Sequence, residues 1–598
     1  MKTKMFFVVI FSMICLQLRA QQFEKINQDG ELNKRIQMVI DRLVYGKEPA
    51  ITEDFILADV ALNPQFKRRF TEYSGDISGR YLSVFSKLKV EGNPVNIQRL
   101  TKNIIATQKS DGRFGSDTLI FKDSLLHGKH MALLWGNGRL LTGLMNYYEV
   151  FKDPIVLKSA IKLGDFLISI TESCIKPDVI DIFKNKGAEG FICFTQNIEG
   201  LVKLYDATHN QKYIHLAQKI YPLLPEMGNQ HSHGYLITLR GILMLYNVTK
   251  IQAQKDFVIS RYKQVFESKD FMITGGVPEF FGGPGNSADS YRDEGCSEAD
   301  WLMLSLELWQ TTGELKFLNN AEYCLTNEMM LNQFSSGDFG HHYIEYNFGY
   351  KLSDNEARAW WCCDYHGLQA MLQAKSLIVT NEKGVKKINL YYNSEFKDSD
   401  IAFNFYRINQ TNNTYKLEIK HAESKDVSIA VRKPYWVKNM TISINNIQVN
   451  SKEQDGYCVI TRKWKENEEI EINLEYDLKF ITKEKKFITL EEAQGNLNGV
   501  AMQYGPYLMG VDDGFMPLFL AEPARENLIY IHKSLLEYPQ NNVKDDGVNK
   551  TLLSDGYLTF KYKHEGFYGE NNVTMRPVSE ISHQRLANVE FWFNFNIN

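Results

Sequence analysis

The chain lacks a usable disulfide framework. It has eight cysteines, and Cys15 lies in a leader expected to be removed, which leaves Cys174, Cys193, Cys296, Cys324, Cys362, Cys363 and Cys458. An odd set in an exported protein cannot pair completely. Two of them are adjacent, and vicinal cysteines rarely bridge each other, so Cys362–Cys363 calls for another explanation. The chain is also short of net charge, with Lys+Arg 68 against Asp+Glu 72. That balance gives no reason to propose nucleic acid or an anionic membrane as partner. No long Pro, Gly or Ser linker interrupts it, and no second apolar run is long enough to span a membrane.

The first apolar run is itself short. Lys2 and Lys4 precede Met5–Leu18, and Arg19-Ala20-Gln21 follows. A basic start, a short hydrophobic stretch and a small residue before the break describe a secretory signal peptide over 1–20. The run is too short to cross a bilayer comfortably. Ser12-Met-Ile before Cys15 is a poor lipobox. Cleavage is expected after Ala20, and the mature protein is expected in the periplasm or at the cell surface.

Aromatic residues make up 13% of the chain, with 31 Tyr and 8 Trp. Such richness suits sugar-binding surfaces, although large cores account for it equally well. The mature chain is too long for one core, so several domains are expected.

From about residue 30 to 380 the apolar spacing is helical, at i, i+3, i+4 and i+7, which sets a helical domain over 21–384. A repeat runs through it: Tyr148-Glu-Val-Phe-Lys-Asp-Pro to Ala160, Tyr205-Asp-Ala-Thr-His-Asn-Gln to Ala217, and Trp309-Gln-Thr-Thr-Gly-Glu-Leu to Ala321. A looser copy surrounds Tyr246. In each, an aromatic closes one helix, a polar turn follows, and an Ala opens the contact face of the next helix. An αα-hairpin cannot bury its stripe alone, so the hairpins must stack. The array either stays an open solenoid or curls into an (α/α) toroid. Gly-, Trp- and His-rich loops favour the toroid, because they read as loops converging on one face.

After about residue 385 the period switches to two. Leu417–Ile419, Val427–Val431, Met440–Ile444, Val459–Thr461 and Ile470–Leu474 are short alternating stretches, which is a β-sandwich pattern over 385–510. A strand-rich segment over 511–598 includes Tyr557–Tyr562 and Val589–Phe595.

Chemistry concentrates in Asp293-Glu-Gly-Cys-Ser-Glu-Ala-Asp-Trp301 and Trp360-Trp-Cys-Cys-Asp-Tyr-His366. Three cysteines and a carboxylate, Cys296, Cys362, Cys363 and Glu294, make a tetrahedral zinc set, since soft thiolates with one oxygen suit Zn²⁺. The bland reading is three buried inert thiols. A zinc-bound thiol is deprotonated at neutral pH. Such a thiolate beside a sugar C1 can act as nucleophile in a retaining displacement.

On these residues the chain resembles the β-L-arabinofuranosidase superfamily typified by glycoside hydrolase family 127. Further matches are Arg432-Lys-Pro-Tyr-Trp436, Gly456-Tyr457, Arg462-Lys-Trp464, Gly505-Pro-Tyr507 and Met575-Arg-Pro-Val-Ser-Glu580. The resemblance implies an (α/α)6 toroid followed by β-sandwiches, with zinc held by Glu294, Cys296, Cys362 and Cys363. It makes Cys362 the nucleophile, and the substrate a glycan carrying an L-arabinofuranoside.

The departures are specific. The family's Cys-Cys-Pro-Pro-Asn is Cys-Cys-Asp-Tyr-His here. Its Gly-Glu-x-Phe acid/base element is replaced by Thr274-Gly-Gly-Val-Pro-Glu-Phe-Phe-Gly-Gly-Pro-Gly285. Glu279 is the substitute acid/base and Glu298 the second choice. His231 and His233 lie where the family places an active-site histidine. They join His366, Trp135 and Arg139 as candidate sugar contacts, although each also has a packing explanation. Two other readings use the same scaffold: a glycan-binding protein with structural zinc and no turnover, and a metal-independent uronide hydrolase, lyase or epimerase.

Overall fold

The computed structural model describes residues 30–47, 49–62, 72–282, 291–345, 349–352, 358–409, 413–493, 499–512, 528–530, 558–563, 570–580, 587–592 and 594–596. The expected signal peptide and much of 511–598 lie outside these residues.

The helical half is a toroid. Six inner helices follow one another around it: α1 (Asp76–Phe85), α2 (Gly128–Phe151), α3 (Ile198–Thr208), α4 (Ser232–Thr249), α5 (Gly295–Thr312) and α6 (Cys363–Ser376). Each of the first four contacts the next, through to α5. A hydrogen bond between His366 and Asp300 joins α6 to α5, and Tyr81 against Tyr365, ring centroids 6.1 Å apart, closes the circle from α6 to α1. Helices such as Pro154–Cys174, Gln211–Ile220, Gln252–Glu267 and Leu315–Cys324 lie outside the ring.

The two layers differ in sequence for a physical reason. Outer helices bury one stripe, as in Val156, Ala160, Leu163 and Leu167, with charged residues between. Inner helices are surrounded, so α2 is buried continuously from His130 to Tyr147 and α5 from Gly295 to Leu306. A helix covered on all sides keeps no amphipathic stripe. Gly79 of α1 and Gly143 of α2 let two of these helices touch backbone to backbone, since a Cβ at Gly143 would collide with the Gly79 carbonyl.

The repeated aromatic turn has one geometry. The N–H of the residue four after the aromatic donates to the aromatic's own carbonyl: Lys152 to Tyr148 at 2.9 Å, His209 to Tyr205 at 2.6 Å, Lys250 to Tyr246 at 2.8 Å and Gly313 to Trp309 at 2.7 Å. All four donors are left-handed, at φ 51, 54, 58 and 75°. The aromatic covers the strained residue, with Lys152 Nζ 5.3 Å from the Tyr148 ring and Lys250 Nζ 5.4 Å from that of Tyr246. At the first two corners the side chain of the next residue then caps the outer helix. Asp153 accepts from Ile155 N–H and Asn210 from Lys212 N–H, which satisfies donors a helix start leaves open.

The β half contains a six-stranded sheet, built from Ser394–Lys397, Ile401–Asn409, Thr414–Ala422, Glu469–Tyr476, Val437–Ile444 and Ile447–Gln448. A five-stranded sheet comprises Val379–Glu382, Val385–Ile388, Asp426–Arg432, Tyr457–Lys463 and Lys452–Gln454. Alternate residues such as Leu417, Ile419, Ile470, Ile472 and Leu474 are fully or nearly fully buried. Tyr391 sits among Phe405, Tyr415 and Trp436 at 6.0, 5.0 and 5.8 Å. A further antiparallel group includes Leu478–Thr482, Val500–Tyr504 and Tyr507–Asp512. The expected architecture, an α toroid followed by β-sandwich sheets, is the one observed.

Candidate active site

The N-termini of the inner helices converge, and the candidate residues sit on them. His231 is the N-cap of α4, Glu294 is the N-cap of α5, and Cys362 immediately precedes α6. Glu294 does not cap its own helix. Its carboxylate instead takes the Ser297 hydroxyl at 2.8 Å and His231 Nε2 at 3.2 Å. Cys296 lies in the first turn of α5. A tight turn at Ala359, whose carbonyl takes the N–H groups of both Cys362 and Cys363 at 3.1 and 2.9 Å, points both sulfurs inward.

Loops lace these helix starts together by backbone pairing. Ser232 N–H donates to the Glu279 carbonyl at 2.9 Å, Glu279 N–H to that of Arg292 at 2.8 Å, and Asp293 N–H to that of His342 at 3.1 Å. Gly295 N–H then reaches the Gly340 carbonyl at 2.9 Å, and Ala359 N–H that of Phe339 at 2.8 Å. This irregular ladder puts Glu279 among the helix ends, which its loop-like sequence gave no means of foreseeing.

Glu294, Cys296, Cys362 and Cys363 offer one carboxylate oxygen and three sulfurs, all within 4.8 Å of one another. The Cys362 and Cys363 sulfurs are 3.8 Å apart, far outside a disulfide. Thiolates bound tetrahedrally to zinc at about 2.3 Å lie roughly 3.8 Å apart, so this spacing and donor set fit the ion. Of the three cysteines only Cys362 keeps partial exposure. Hydrogen bonds from the Cys296 and Cys363 thiols hold Cys362 well below the usual thiol range, whereas burial pushes Cys296 and Cys363 well above it. Burial works against the Glu294 charge, but His231, with smaller help from His233 and His341, holds that carboxyl well below its ordinary value. Helix N-termini favour anions as well.

Glu279 lies beside this set. Its carboxylate is chelated by Arg292, through Nε and through Nη2 at 3.1 Å, with His341 Nε2 at 3.8 Å. His231, Glu279 and Glu294 form a second close group. Glu298, by contrast, is fully buried, and its oxygens take the Val277 N–H at 3.3 and 3.2 Å. Burial, with Glu328 adding to it, pushes its carboxyl well above the usual range.

The remaining candidates divide. Trp135 stands near both histidines, 6.0 Å from the His231 ring and 5.1 Å from His233, and its indole N–H donates to Asp76 at 3.0 Å. His233 and His366 meet at Asp300: His233 Nδ1 bonds one carboxylate oxygen, and His366 Nε2 bonds the other at 2.9 Å. Burial pulls His233 down to about 3, so it is neutral. Arg139 is not brought to this group. Its guanidinium is committed to Gln196 at 2.9 Å and Glu199 at 3.3 Å, and it lines a small internal cavity with Arg80, Arg240 and His366.

Arg80, Arg292, Asp76 and Asp300 join the candidates only through the structure. Asp300 was within reach, being one turn after Cys296 and therefore on the same helix face. Asp76 and Arg80 show the same i, i+4 spacing, while nothing local marks Arg292.

Two family models match the chain. The catalytic domain of the GH127 β-L-arabinofuranosidases matches residues 66–376, and the middle domain of the same enzymes matches 387–476. No curated protein matches. Among solved structures, a GH127 β-L-arabinofuranosidase from Geobacillus stearothermophilus T6 superposes with a TM-score of 0.64 at 13% identity, covering 95% of this chain and 100% of that one. A GH127 β-arabinofuranosidase gives 0.62 at 16% identity over 94% of each chain. A structure described as a glycoside hydrolase gives 0.61 at 14% identity over 95% of each. At these identities the likeness is one of fold.

Proposed function

Because the chain belongs to the GH127 β-L-arabinofuranosidase family of glycoside hydrolases, we propose that it is an exported, retaining glycosidase in which Cys362 is the nucleophile and Glu279 the acid/base. The observation that carries this reading is the Glu294–Cys296–Cys362–Cys363 set, in which Cys362 is the partly exposed cysteine and Glu294 is shared with a second group of His231 and Glu279. Export rests on the basic, apolar start of the chain.

Glu294, Cys296, Cys362 and Cys363 hold zinc in this proposal. When bound, the ion keeps its cysteine ligands ionised at neutral pH. The protein's own groups do the rest. In the first half-reaction the Cys362 sulfur forms a bond to the anomeric carbon as the glycosidic C–O bond breaks, and Glu279 gives its proton to the departing oxygen. In the second, a water oxygen replaces sulfur at that carbon while Glu279 takes the water's proton, which returns both residues to their starting state. Two displacements leave the anomeric configuration unchanged. Arg292 fixes the Glu279 rotamer, and His231 with the Trp135 ring edge supplies polar and apolar surface for the sugar. The substrate class is an L-arabinofuranoside of a plant or microbial glycan.

The test is zinc stoichiometry on the mature protein together with hydrolysis of an aryl β-L-arabinofuranoside, for wild type and Cys362→Ser. About one zinc per chain is expected, with turnover lost in the variant, since serine is a far weaker nucleophile at neutral pH. Zinc without turnover would favour a glycan-binding role or another sugar. Protein prepared under reducing conditions that holds no zinc would end the thiolate reading.

A further inference from the structure

One guanidinium touches the proposed ligand set from behind. Arg80, 4% exposed, donates from Nη1 to the Cys296 sulfur at 3.5 Å. Its other nitrogens are also committed: Nε donates to Asp76 at 2.9 Å and Nη2 meets His233 Nε2 at 2.7 Å. A guanidinium has no acceptor, so His233 Nε2 must accept. The His233 proton therefore sits on Nδ1 and is donated to Asp300. Asp300 is in turn held by His366 and by Arg240 Nη1 at 2.9 Å. The direction in which Arg80 points is thus fixed by α1, α4, α5 and α6 together.

Charge gives that position a purpose. Glu294 and three thiolates carry four negative charges, and a divalent ion offsets only two. Buried unbalanced charge is costly, and Arg80 is the arginine with a hydrogen bond to one of the sulfurs among the described residues. The bond also distinguishes the sulfurs. An N–H donor withdraws electron density from Cys296, whereas Cys362 is the partly exposed cysteine of the set.

We propose that Arg80 is a positioning residue: held by Asp76 and His233, it hydrogen-bonds the Cys296 ligand, offsets the excess negative charge of the Glu294–Cys296–Cys362–Cys363 set, and so raises its affinity for a divalent ion. The inference rests on the metal reading above, and a single experiment separates their failures. Full-length wild type, Arg80→Met and Arg80→Lys are compared for zinc affinity by chelator competition, and for the sulfur-to-metal charge-transfer band after cobalt loading. Partners behind metal ligands are typically worth 10- to 100-fold in affinity, so Arg80→Met should weaken zinc by about that factor and move the band to lower energy. Arg80→Lys keeps the charge but not the three-way fork, and should fall between.

Folded Arg80→Met with wild-type affinity and an unmoved band overturns the inference and leaves the metal reading intact. Should Arg80→Met fail to fold, the Lys variant decides: an affinity and a band both equal to wild type overturn it, and a loss in both supports it. Wild type that takes up neither metal overturns the metal reading and this inference with it.

Discussion

Asp300 has two carboxylate oxygens, and three donors claim them: His233 on one, His366 and Arg240 on the other. A buried carboxylate with that many charged or polar donors stays ionised. Burial opposes its charge, yet His366 and His233 together hold it well below the usual range. Glu279 is a different kind of carboxylate. It is paired with Arg292, and its group includes His231 and Glu294 at the helix ends. A group that donates a proton to the leaving oxygen contributes roughly 10²- to 10⁴-fold, and most where that oxygen is a poor leaving group. Glu279→Gln is therefore expected to slow an alkyl arabinofuranoside by about 100-fold or more, and a nitrophenyl one considerably less. Steady-state kcat for the two substrates checks this, and equal losses on both would remove Glu279 from the role. Such leaving-group dependence would not follow from a merely structural glutamate.

At the scale of the element, much was legible because it was local. The spacing from each aromatic to the following Ala marked helix corners at Tyr148, Tyr205 and Trp309, and each is a left-handed corner, the first two followed by a capping side chain. Period-two stretches such as Ile470–Leu474 are strands for an equally local reason, since alternate side chains face a core. The cysteines and Glu294 could be picked out by residue type. What could not be read was pairing across distance. Arg80 lies far from Cys296 in sequence, and the ladder that fixes Glu279 depends on loops without periodicity. The corner geometry predicts its own energetics. Gly313 has φ 75°, and an added Cβ would meet nothing within 4 Å. Gly313→Ala should therefore destabilise through backbone conformation alone, by about 1 kcal/mol. Gly313→Asn should cost less, because asparagine tolerates this region better. Denaturant unfolding of the two variants against wild type measures the difference, and an alanine variant as stable as wild type would contradict the corner assignment.

For the molecule as a whole, the aromatic excess went mainly into cores. Trp301 stacks on Tyr262 at 4.1 Å, and Trp436 and Trp464 are buried in the β half. Trp135 and Phe280 instead stand beside His231, at 6.0 and 5.2 Å between ring centroids. The proposed ligands lie entirely in the helical half, at the starts of α5 and α6, while the sandwich sheets hold themselves together through their own strands and rings. An ion that binds the native arrangement stabilises it by about 2.7 kcal/mol at a hundredfold excess over its dissociation constant. Removing zinc with a chelator should thus raise amide exchange about 100-fold at most where opening exposes the ligands. Those places are the first turns of α5 and α6 and the ladder segments 291–295, 339–344 and 359–363. Exchange in Thr414–Ala422 and Glu469–Tyr476 should not change. Mass-resolved hydrogen exchange on the metal-loaded and stripped protein reads both regions at once. A response confined to the helix starts would tie the ion to the local order of the site. A response of the same size in the sandwich strands would show instead that the ion governs the stability of the entire chain.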